Sequence, residues 1–123
     1  MGQFWMTDWK RIIKAFQYSI NGLKAAWIHE AAFRQEILML AILVPPGLVM
    51  ATSLTLKLFL LFNAALILIV ELLNSAVEAV VDRIGTERHP LSGQAKDLGS
   101  AAQLISLTAF GLLWLFICLR HFL

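Results

Sequence analysis

The stretch ELLNSAVEAVVDRIG, Glu71 to Gly85, follows the apolar run LFLLFNAALILIV and places carboxylates where a membrane helix ordinarily has none. With 3.6 residues per turn, four of its polar residues fall on one narrow helical face: Glu71, Asn74, Glu78 and Asp82. Charged side chains are costly in hydrocarbon, so such residues face a protein interior or a watery cavity and usually mark function. A helix end emerging into the headgroups is the alternative, but Asp82 alone would suffice for that. The stripe therefore predicts a polar site.

The composition indicates a small protein of the lipid bilayer. Of the 123 residues, 59% are hydrophobic, against about 45–50% in soluble domains, and the mean hydropathy is +0.76. The length predicts a single domain, residues 1–123. A net charge of only +2 provides no electrostatic footprint for nucleic-acid binding. The single cysteine, Cys118, cannot form a disulfide within the chain and is expected to serve packing.

The pattern of apolar residues predicts an all-α membrane protein with four helices. The first, at about residues 5–28, is basic and amphipathic and is expected to lie on the membrane surface, anchored by Trp5, Trp9 and Trp27. Three segments long enough to cross a bilayer follow, at about 31–51, 55–83 and 93–121. The connection between the first two crossings, Thr52 to Lys57, is short and polar.

Helix-breaking and capping residues refine these boundaries. We expect Pro45 and Pro46 to break or kink the first crossing, with a tight turn at Gly47. Gly85 should end the second crossing and Ser92 should cap the third. Small residues at the start of the third crossing would permit close helix packing: Gly99, Ser100, Ala101 and Ala102.

The basic residues predict the orientation in the membrane. All of them except Lys57 and Arg120 fall on the side that holds the N-terminus. Since basic residues are enriched on the cytoplasmic side, we expect the N-terminus in the cytoplasm and the C-terminus outside.

The acidic residues indicate the chemistry, because all except Asp8 cluster on that inner side. Carboxylates beside Arg11, Arg34 and Lys96 suit a metal–phosphate ligand, because Mg²⁺ is held by one or two carboxylates plus substrate phosphates. Glu78 lies toward water and suits the metal. Glu71 lies deeper, where loss of water makes a carboxylate a better base. A base at that depth implies an acceptor that is itself in the membrane.

Other site chemistries lack support in the sequence. There is no glycine-rich phosphate cradle of the G-x-x-x-x-G-K-[ST] or G-x-G-x-x-G type. The three histidines lack zinc-binding spacing, and Ser75 has no histidine at a spacing useful for hydrolysis. Glu30 and Arg34, four residues apart, are placed to form an ion pair on one helical face.

Two segments carry a resemblance to a known family: RIIKAFQYSINGLKAAWIHEAAFRQE, residues 11–36, and ELLNSAVEAVVDRIGTERHPLSGQAKDLGSAAQ, residues 71–103. The patterns E-x-x-N-S-A-x-E-A-x-x-D and G-x-A-K-D-x-G-S-A-A in the second are highly specific. From about Arg11 to Gln103 the chain resembles the prokaryotic integral-membrane diacylglycerol kinases. The resemblance implies a homotrimer of three-helix subunits, each with an N-terminal surface helix, in the bacterial cytoplasmic membrane. It also implies transfer of the γ-phosphate of MgATP to a lipid alcohol.

The resemblance further implies roles for single residues. Glu71 matches the catalytic base, Asn74 supports the catalytic carboxylates, and Glu30 and Glu78 match the ligands of Mg²⁺. The positions expected to contact ATP are Arg11, Tyr18, Glu30, Glu78, Glu87, His89, Lys96 and Asp97. The positions expected to border the lipid substrate are Arg11, Ser19, Trp27, Phe33, Arg34, Glu36, Glu71 and Ser100.

The chain departs from the family pattern at a few positions: Lys24, His29, Arg88 and Pro90. These departures leave the carboxylates untouched but alter the inner loop around His89. Beyond Gln103 the third crossing matches the family only in character, so no site residue is expected there.

The predicted activity is that of a diacylglycerol kinase, giving phosphatidate and ADP, with phosphorylation of undecaprenol on the same fold as the nearest alternative. A proton-coupled transporter or channel subunit would need polar residues across the whole membrane, whereas only Asn63 is strongly polar between Lys57 and Glu71. A regulatory membrane subunit would explain the helices but not the clustered carboxylates. Because three crossings are not expected to wrap the polar stripe alone, we expect an oligomer to complete the site.

Overall fold

A computed structural model describes the backbone of residues 2–123 and the side chains from Asp8 onward. Within that range the chain is helical and has no strand, with the elements α1 (Gly2–His29), α2 (Ala31–Met50), α3 (Leu54–Ile84) and α4 (Pro90–Phe122). Helices α2, α3 and α4 are long and apolar enough to cross a membrane. The predicted fold class, three membrane helices preceded by an amphipathic helix, is confirmed. The predicted anchor Trp5 lies outside the described side chains.

Helix α1 is exposed over nearly its whole described length. Its apolar residues, such as Ile12 and Phe16, are more than half exposed in the single chain, as expected for a face that rests in the headgroup region. Arg34 Nη1 donates to the carbonyl oxygens of Trp27, at 2.7 Å, and of Ile28, at 3.1 Å. The predicted ion pair with Glu30 is therefore wrong: the Arg34 cation instead satisfies carbonyls that the end of α1 leaves without a partner.

Helix α2 continues without a break through Pro45 and Pro46 as far as Met50. Gly47 keeps a negative φ angle and is buried, so the predicted break with a tight turn is wrong. Neighbouring helices hold the segment: Trp114 Nε1 donates to the Leu43 carbonyl at 2.8 Å. Prolines are tolerated in membrane helices where such contacts surround them.

Lys57 lies in the first turn of α3 and not in a loop. Its Nζ donates to the carbonyls of Leu48, at 2.8 Å, and Ala51, at 2.7 Å, and so caps the end of α2. Ser53 Oγ accepts from the Leu56 N–H at 3.1 Å, which starts α3 at Leu54. The connection is thus shorter than predicted because both of its ends are capped.

The link between α3 and α4 confirms one predicted cap and corrects another. Gly85 is the C-cap of α3, as expected. Helix α4 begins at Pro90 because proline is favoured at the first helical position and because His89 Nδ1 accepts from the Leu91 N–H at 3.1 Å. His89, and not Ser92, is therefore the N-cap.

Helix α3 packs most extensively on α4 and next on α2. Each of these helices buries a stripe of residues spaced three, four or seven apart: Phe33, Glu36, Leu40 and Gly47 on α2; Leu60, Ala64, Ile67 and Glu71 on α3; Gln103, Ser106, Phe110 and Ile117 on α4. This spacing is typical of helices packed side by side. The apolar members other than Phe33 and Gly47 belong to one core, and the polar members meet at one end of it.

Candidate active site

Four polar side chains are buried together where α2, α3 and α4 meet: Glu36, Glu71, Gln103 and Ser106, which we call the buried polar cluster. Their exposed fractions are 9%, 4%, 8% and 3%, respectively. Each lies on the buried stripe of its helix, so helix packing brings them together. The predicted base Glu71 therefore faces the protein interior and not the lipid.

The Gln103 side-chain amide is the centre of this cluster. Its Nε2 donates to Glu71 Oε2 at 3.0 Å and also to Glu36 Oε1. Its Oε1 accepts from Ser106 Oγ at 2.7 Å. Since an amide nitrogen carries two hydrogens, each carboxylate can receive one of them.

The two carboxylate oxygens of Glu71 have different surroundings. Oε2 is bound to Gln103, whereas Oε1 has only the Ser75 hydroxyl at 3.5 Å. That distance is too long for a strong hydrogen bond. Oε1 is therefore the less strongly hydrogen-bonded of the two oxygens.

Ser75 lies on the wall of a cavity of about 700 Å³ between α1 and α3, which we call the α1–α3 cavity. The same wall includes two residues predicted from the sequence, Ser19 and Glu30. Glu30 sits at the break between α1 and α2, where it is the N-cap of α2, but its side chain makes no capping hydrogen bond. Its carboxylate therefore remains available for a ligand.

The predicted metal ligands Glu30 and Glu78 both lie close enough to Glu71 for their charges to act on its carboxylate. Among the side chains that the structure describes, from Asp8 onward, no three acidic, histidine or cysteine residues converge into a ready-made metal site. A pair of carboxylates fits Mg²⁺ nevertheless, because this ion binds proteins through one or two carboxylates and completes its shell with phosphates and water.

A second cavity, of about 650 Å³, lies at the loop between α3 and α4 and is called the inner-loop cavity. Three of the predicted ATP contacts line it: Glu87, His89 and Lys96. Lys96 Nζ forms an ion pair with Asp82 Oδ1 at 2.9 Å. Asp97 is exposed and is not among the lining residues.

The residues predicted to border the lipid are divided between several places. Trp27 and Phe33 line an apolar groove of about 420 Å³ between α1 and α2. Glu36 belongs to the buried polar cluster, and Arg34 holds the end of α1. Ser19 lines the α1–α3 cavity, and Ser100 is exposed on α4.

Arg11 and Tyr18 lie on the exposed surface of α1. Arg11 is about 28 Å from Glu30 along a helix that rises 1.5 Å per residue. A single chain therefore does not bring Arg11 to Glu30.

Asn74 contacts α4 at Gly99. Its Oδ1 is buried and has no hydrogen-bond partner among the described residues, and a Cβ atom on Gly99 would collide with that oxygen. The predicted close packing is confirmed at Gly99, whereas Ser100, Ala101 and Ala102 are exposed.

Sequence reasoning missed three residues that contact predicted site residues. Asp82 was noticed as part of the polar stripe but not as the partner of Lys96, and Gln103 and Ser106 were not predicted as site residues. For Gln103 and Ser106 the sequence contained a usable signal, because their spacing places them on one helical face with the apolar residues Phe110 and Ile117. The expectation that three crossings cannot wrap the stripe is wrong at Glu71, which one chain buries almost completely.

Comparison with known proteins gives consistent matches over nearly the whole chain. The sequence model of the prokaryotic diacylglycerol kinase family matches residues 17–118. The chain is 48% identical over 116 residues to a diacylglycerol kinase of Escherichia coli (strain K12), which covers 94% of this chain and 95% of that protein. A diacylglycerol kinase of Pseudomonas aeruginosa is 48% identical over 108 residues, 88% of each chain. One of Helicobacter pylori is 44% identical over 105 residues, 85% of this chain and 82% of that protein.

Proposed function

This chain belongs to the prokaryotic diacylglycerol kinase family, and from that premise we propose that it transfers the γ-phosphate of ATP to the primary hydroxyl of 1,2-diacylglycerol. The products are phosphatidate and ADP. One observation carries the proposal for this site: Glu71, buried at the end of an apolar helix bundle, has one oxygen held by Gln103 and the other 3.5 Å from the hydroxyl of Ser75, a residue that lines the α1–α3 cavity.

In this proposal Glu71 acts as the general base. Its Oε1 takes the proton of the lipid hydroxyl while the hydroxyl oxygen attacks the γ-phosphorus. The bond between that phosphorus and the bridging oxygen of ATP breaks, and ADP leaves. Burial of Glu71 suits an acceptor that stays in the membrane, because the lipid hydroxyl can then reach the base without moving into water.

The carboxylates of Glu30 and Glu78 would hold Mg²⁺, which when bound neutralises charge on the phosphates. Lys96 lies at the inner-loop cavity, and its cation would offset the negative charge that develops during transfer. Its pairing with Asp82 supports this placement, since the ion pair orients the ammonium group between α3 and α4.

The remaining predicted contacts are assigned by cavity. Glu87 and His89, with Asp97 nearby in sequence, would bind the nucleotide at the inner-loop cavity. The apolar groove with Trp27 and Phe33 suits an acyl chain, since its lining is almost wholly hydrophobic. Arg34 would border the lipid at the turn between α1 and α2, where it is already fixed.

We further propose that the active protein is a homotrimer with its N-terminus in the cytoplasm. The exposed apolar surface of α2, α3 and α4 supports contacts with lipid and with other subunits. Arg11 would reach the nucleotide from a neighbouring subunit, because within one chain it is about 28 Å from Glu30 along α1. Tyr18 is exposed on α1 beside Ser19 of the α1–α3 cavity and would also contact the nucleotide. Ser100, exposed on α4, would likewise border the lipid at a subunit boundary.

The experiment is phosphate transfer from γ-labelled ATP to dioleoylglycerol in mixed micelles, with the wild type beside Glu71→Gln. The glutamine keeps the size of the side chain but cannot accept a proton, so we expect kcat to fall by about 10²–10⁴-fold. Chelation of Mg²⁺ should abolish the wild-type rate. Undecaprenol is tested in parallel, and a clearly faster transfer to it would show that undecaprenol, and not diacylglycerol, is the acceptor. Absence of transfer to either alcohol, or full activity of Glu71→Gln, would refute the mechanism.

A further inference from the structure

Gln103 is an amide buried where an apolar residue would fill the core without burying polar atoms. Burial of a polar group is unfavourable unless it is hydrogen-bonded, and this amide is bonded through both of its ends. Its partners on the nitrogen side are Glu36 and Glu71, the two buried carboxylates among the described side chains. The amide is therefore explained by the carboxylates that it binds.

We propose that Gln103 is a positioning residue for phosphate transfer, which holds the Glu71 carboxylate with Oε1 on the side of Ser75, and that Ser106 fixes the orientation of the Gln103 amide. The inference rests on the proposed function, in which Glu71 is the base. It adds to that function a residue of α4 that touches the base and not the substrate.

The chemistry of the donors determines which way the amide points. If the amide were rotated by half a turn, its oxygen would face two carboxylate oxygens and no hydrogen would lie between them. The Ser106 hydroxyl, 2.7 Å from Gln103 Oε1, stabilises the observed orientation. This hydroxyl also lies 2.9 Å from the Gln103 backbone carbonyl, one turn earlier in α4, so its single hydrogen is shared between the two oxygens of Gln103.

The bond to Gln103 decides which oxygen of Glu71 is free. With Oε2 bound at 3.0 Å, Oε1 is left toward Ser75, which lines the α1–α3 cavity. Without the amide, rotation of the carboxylate would no longer be opposed by a strong hydrogen bond. Because displacement of a catalytic group by about 1 Å can cost about 10²-fold in rate, loss of this bond should affect turnover more than substrate binding.

Glu36 provides the second anchor of the amide. Its Oε1 accepts from Gln103 Nε2, while its Oε2 is buried without a hydrogen-bond partner among the described residues. One amide thus connects α2, α3 and α4 at the depth of the base. Glu36 belongs to this positioning network, and the orientation of Glu71 depends on all three helices.

The test compares Gln103→Met with a matched pair at the neighbouring position, Ser106→Thr and Ser106→Val. Methionine keeps the length of glutamine but donates no hydrogen bond. Threonine keeps the hydroxyl, and valine has the same shape without it. We expect Gln103→Met to lower kcat by about 10–100-fold, with KM for ATP and for dioleoylglycerol within about twofold of the wild type. Ser106→Thr should have a clearly higher kcat than Ser106→Val, because the two side chains have the same shape and only threonine keeps the hydroxyl that binds Gln103 Oε1.

The inference is overturned if Gln103→Met keeps the wild-type kcat, if only KM changes, or if the two Ser106 variants have equal rates. Thermal unfolding in micelles identifies variants that have lost the fold. If Gln103→Met has lost the fold, the comparison of Ser106→Thr with Ser106→Val decides the question.

An infrared spectrum of the purified protein gives a readout apart from activity. The carboxyl band that Glu71→Gln removes should shift in Gln103→Met, and an unshifted band would refute the hydrogen bond. An inactive wild type would refute the proposed function instead.

Discussion

At the scale of the residue, the contact between Asn74 and Gly99 gives a prediction for Gly99→Ala. The added Cβ would collide with Asn74 Oδ1, so the amide must turn away from α4, although alanine favours the helix by about 1 kcal/mol. We expect kcat to fall by about tenfold, because a small displacement near the catalytic carboxylates is costly. The lipid kinase assay measures this. Gly111→Ala is the control, since a Cβ there has no atom within 4 Å, and equal rates for both variants would contradict the prediction.

A site residue could be predicted from the sequence when its charge or polarity differed strongly from that of its neighbours in the chain. Glu71 was identifiable because a carboxylate inside an apolar run is rare and costly. Gln103 and Ser106 are uncharged, so they do not stand out in the sequence. The partners of Gln103 are distant in the chain: Glu36 is 67 positions away and Glu71 is 32 positions away. Arg34 shows the opposite error: a spacing of four suggested an ion pair, but helix-end carbonyls compete for the same cation.

At the scale of the element, the uninterrupted course of α2 past its two prolines depends on its packing against α3 and α4. A Cβ on Gly47 would lie 2.7 Å from Leu60 Cδ2 and 3.1 Å from Trp114 Nε1. Gly47→Ala should therefore lower the free energy of unfolding by about 1–3 kcal/mol through overpacking. Thermal or denaturant unfolding in micelles measures it. The control Gly111→Ala should leave the free energy of unfolding unchanged or raise it. An equal rise in Gly47→Ala would contradict the prediction, because it would show that Leu60 and Trp114 move aside easily.

The existence of each helix was predictable, but its ends were less so. Long apolar runs identify crossings by themselves, which is why the three membrane helices were found. Their ends depend on caps made by side chains whose reach is invisible in a spacing pattern. His89 caps α4, and Lys57 reaches back over the loop to the end of α2. Proline was misjudged in α2 because its effect depends on neighbouring helices that the local sequence does not reveal.

At the scale of the whole molecule, the two ends of the bundle differ in chemistry. One end contains the buried polar cluster, Glu30 and the inner-loop cavity, and α1 lies beside it. The other end contains the α2–α3 connection, whose carbonyls are satisfied by Lys57. This asymmetry suits a reaction between a nucleotide that arrives from water and an alcohol that remains in the membrane, since only one end needs both kinds of contact.

The orientation of the molecule gives a prediction that two exposed threonines can test. Thr52 and Thr86 lie at opposite ends of α3, a helix of 31 residues that spans about 46 Å at 1.5 Å per residue. Because basic residues are enriched on the cytoplasmic side, we expect Thr52→Cys to react with a membrane-impermeant maleimide in intact spheroplasts and Thr86→Cys to react only after permeabilisation. Both variants are made in a Cys118→Ser background, which alone should show no labelling. The reverse pattern would place the inner-loop cavity outside the cell, away from cytoplasmic ATP, and would contradict both the orientation and the proposed nucleotide site.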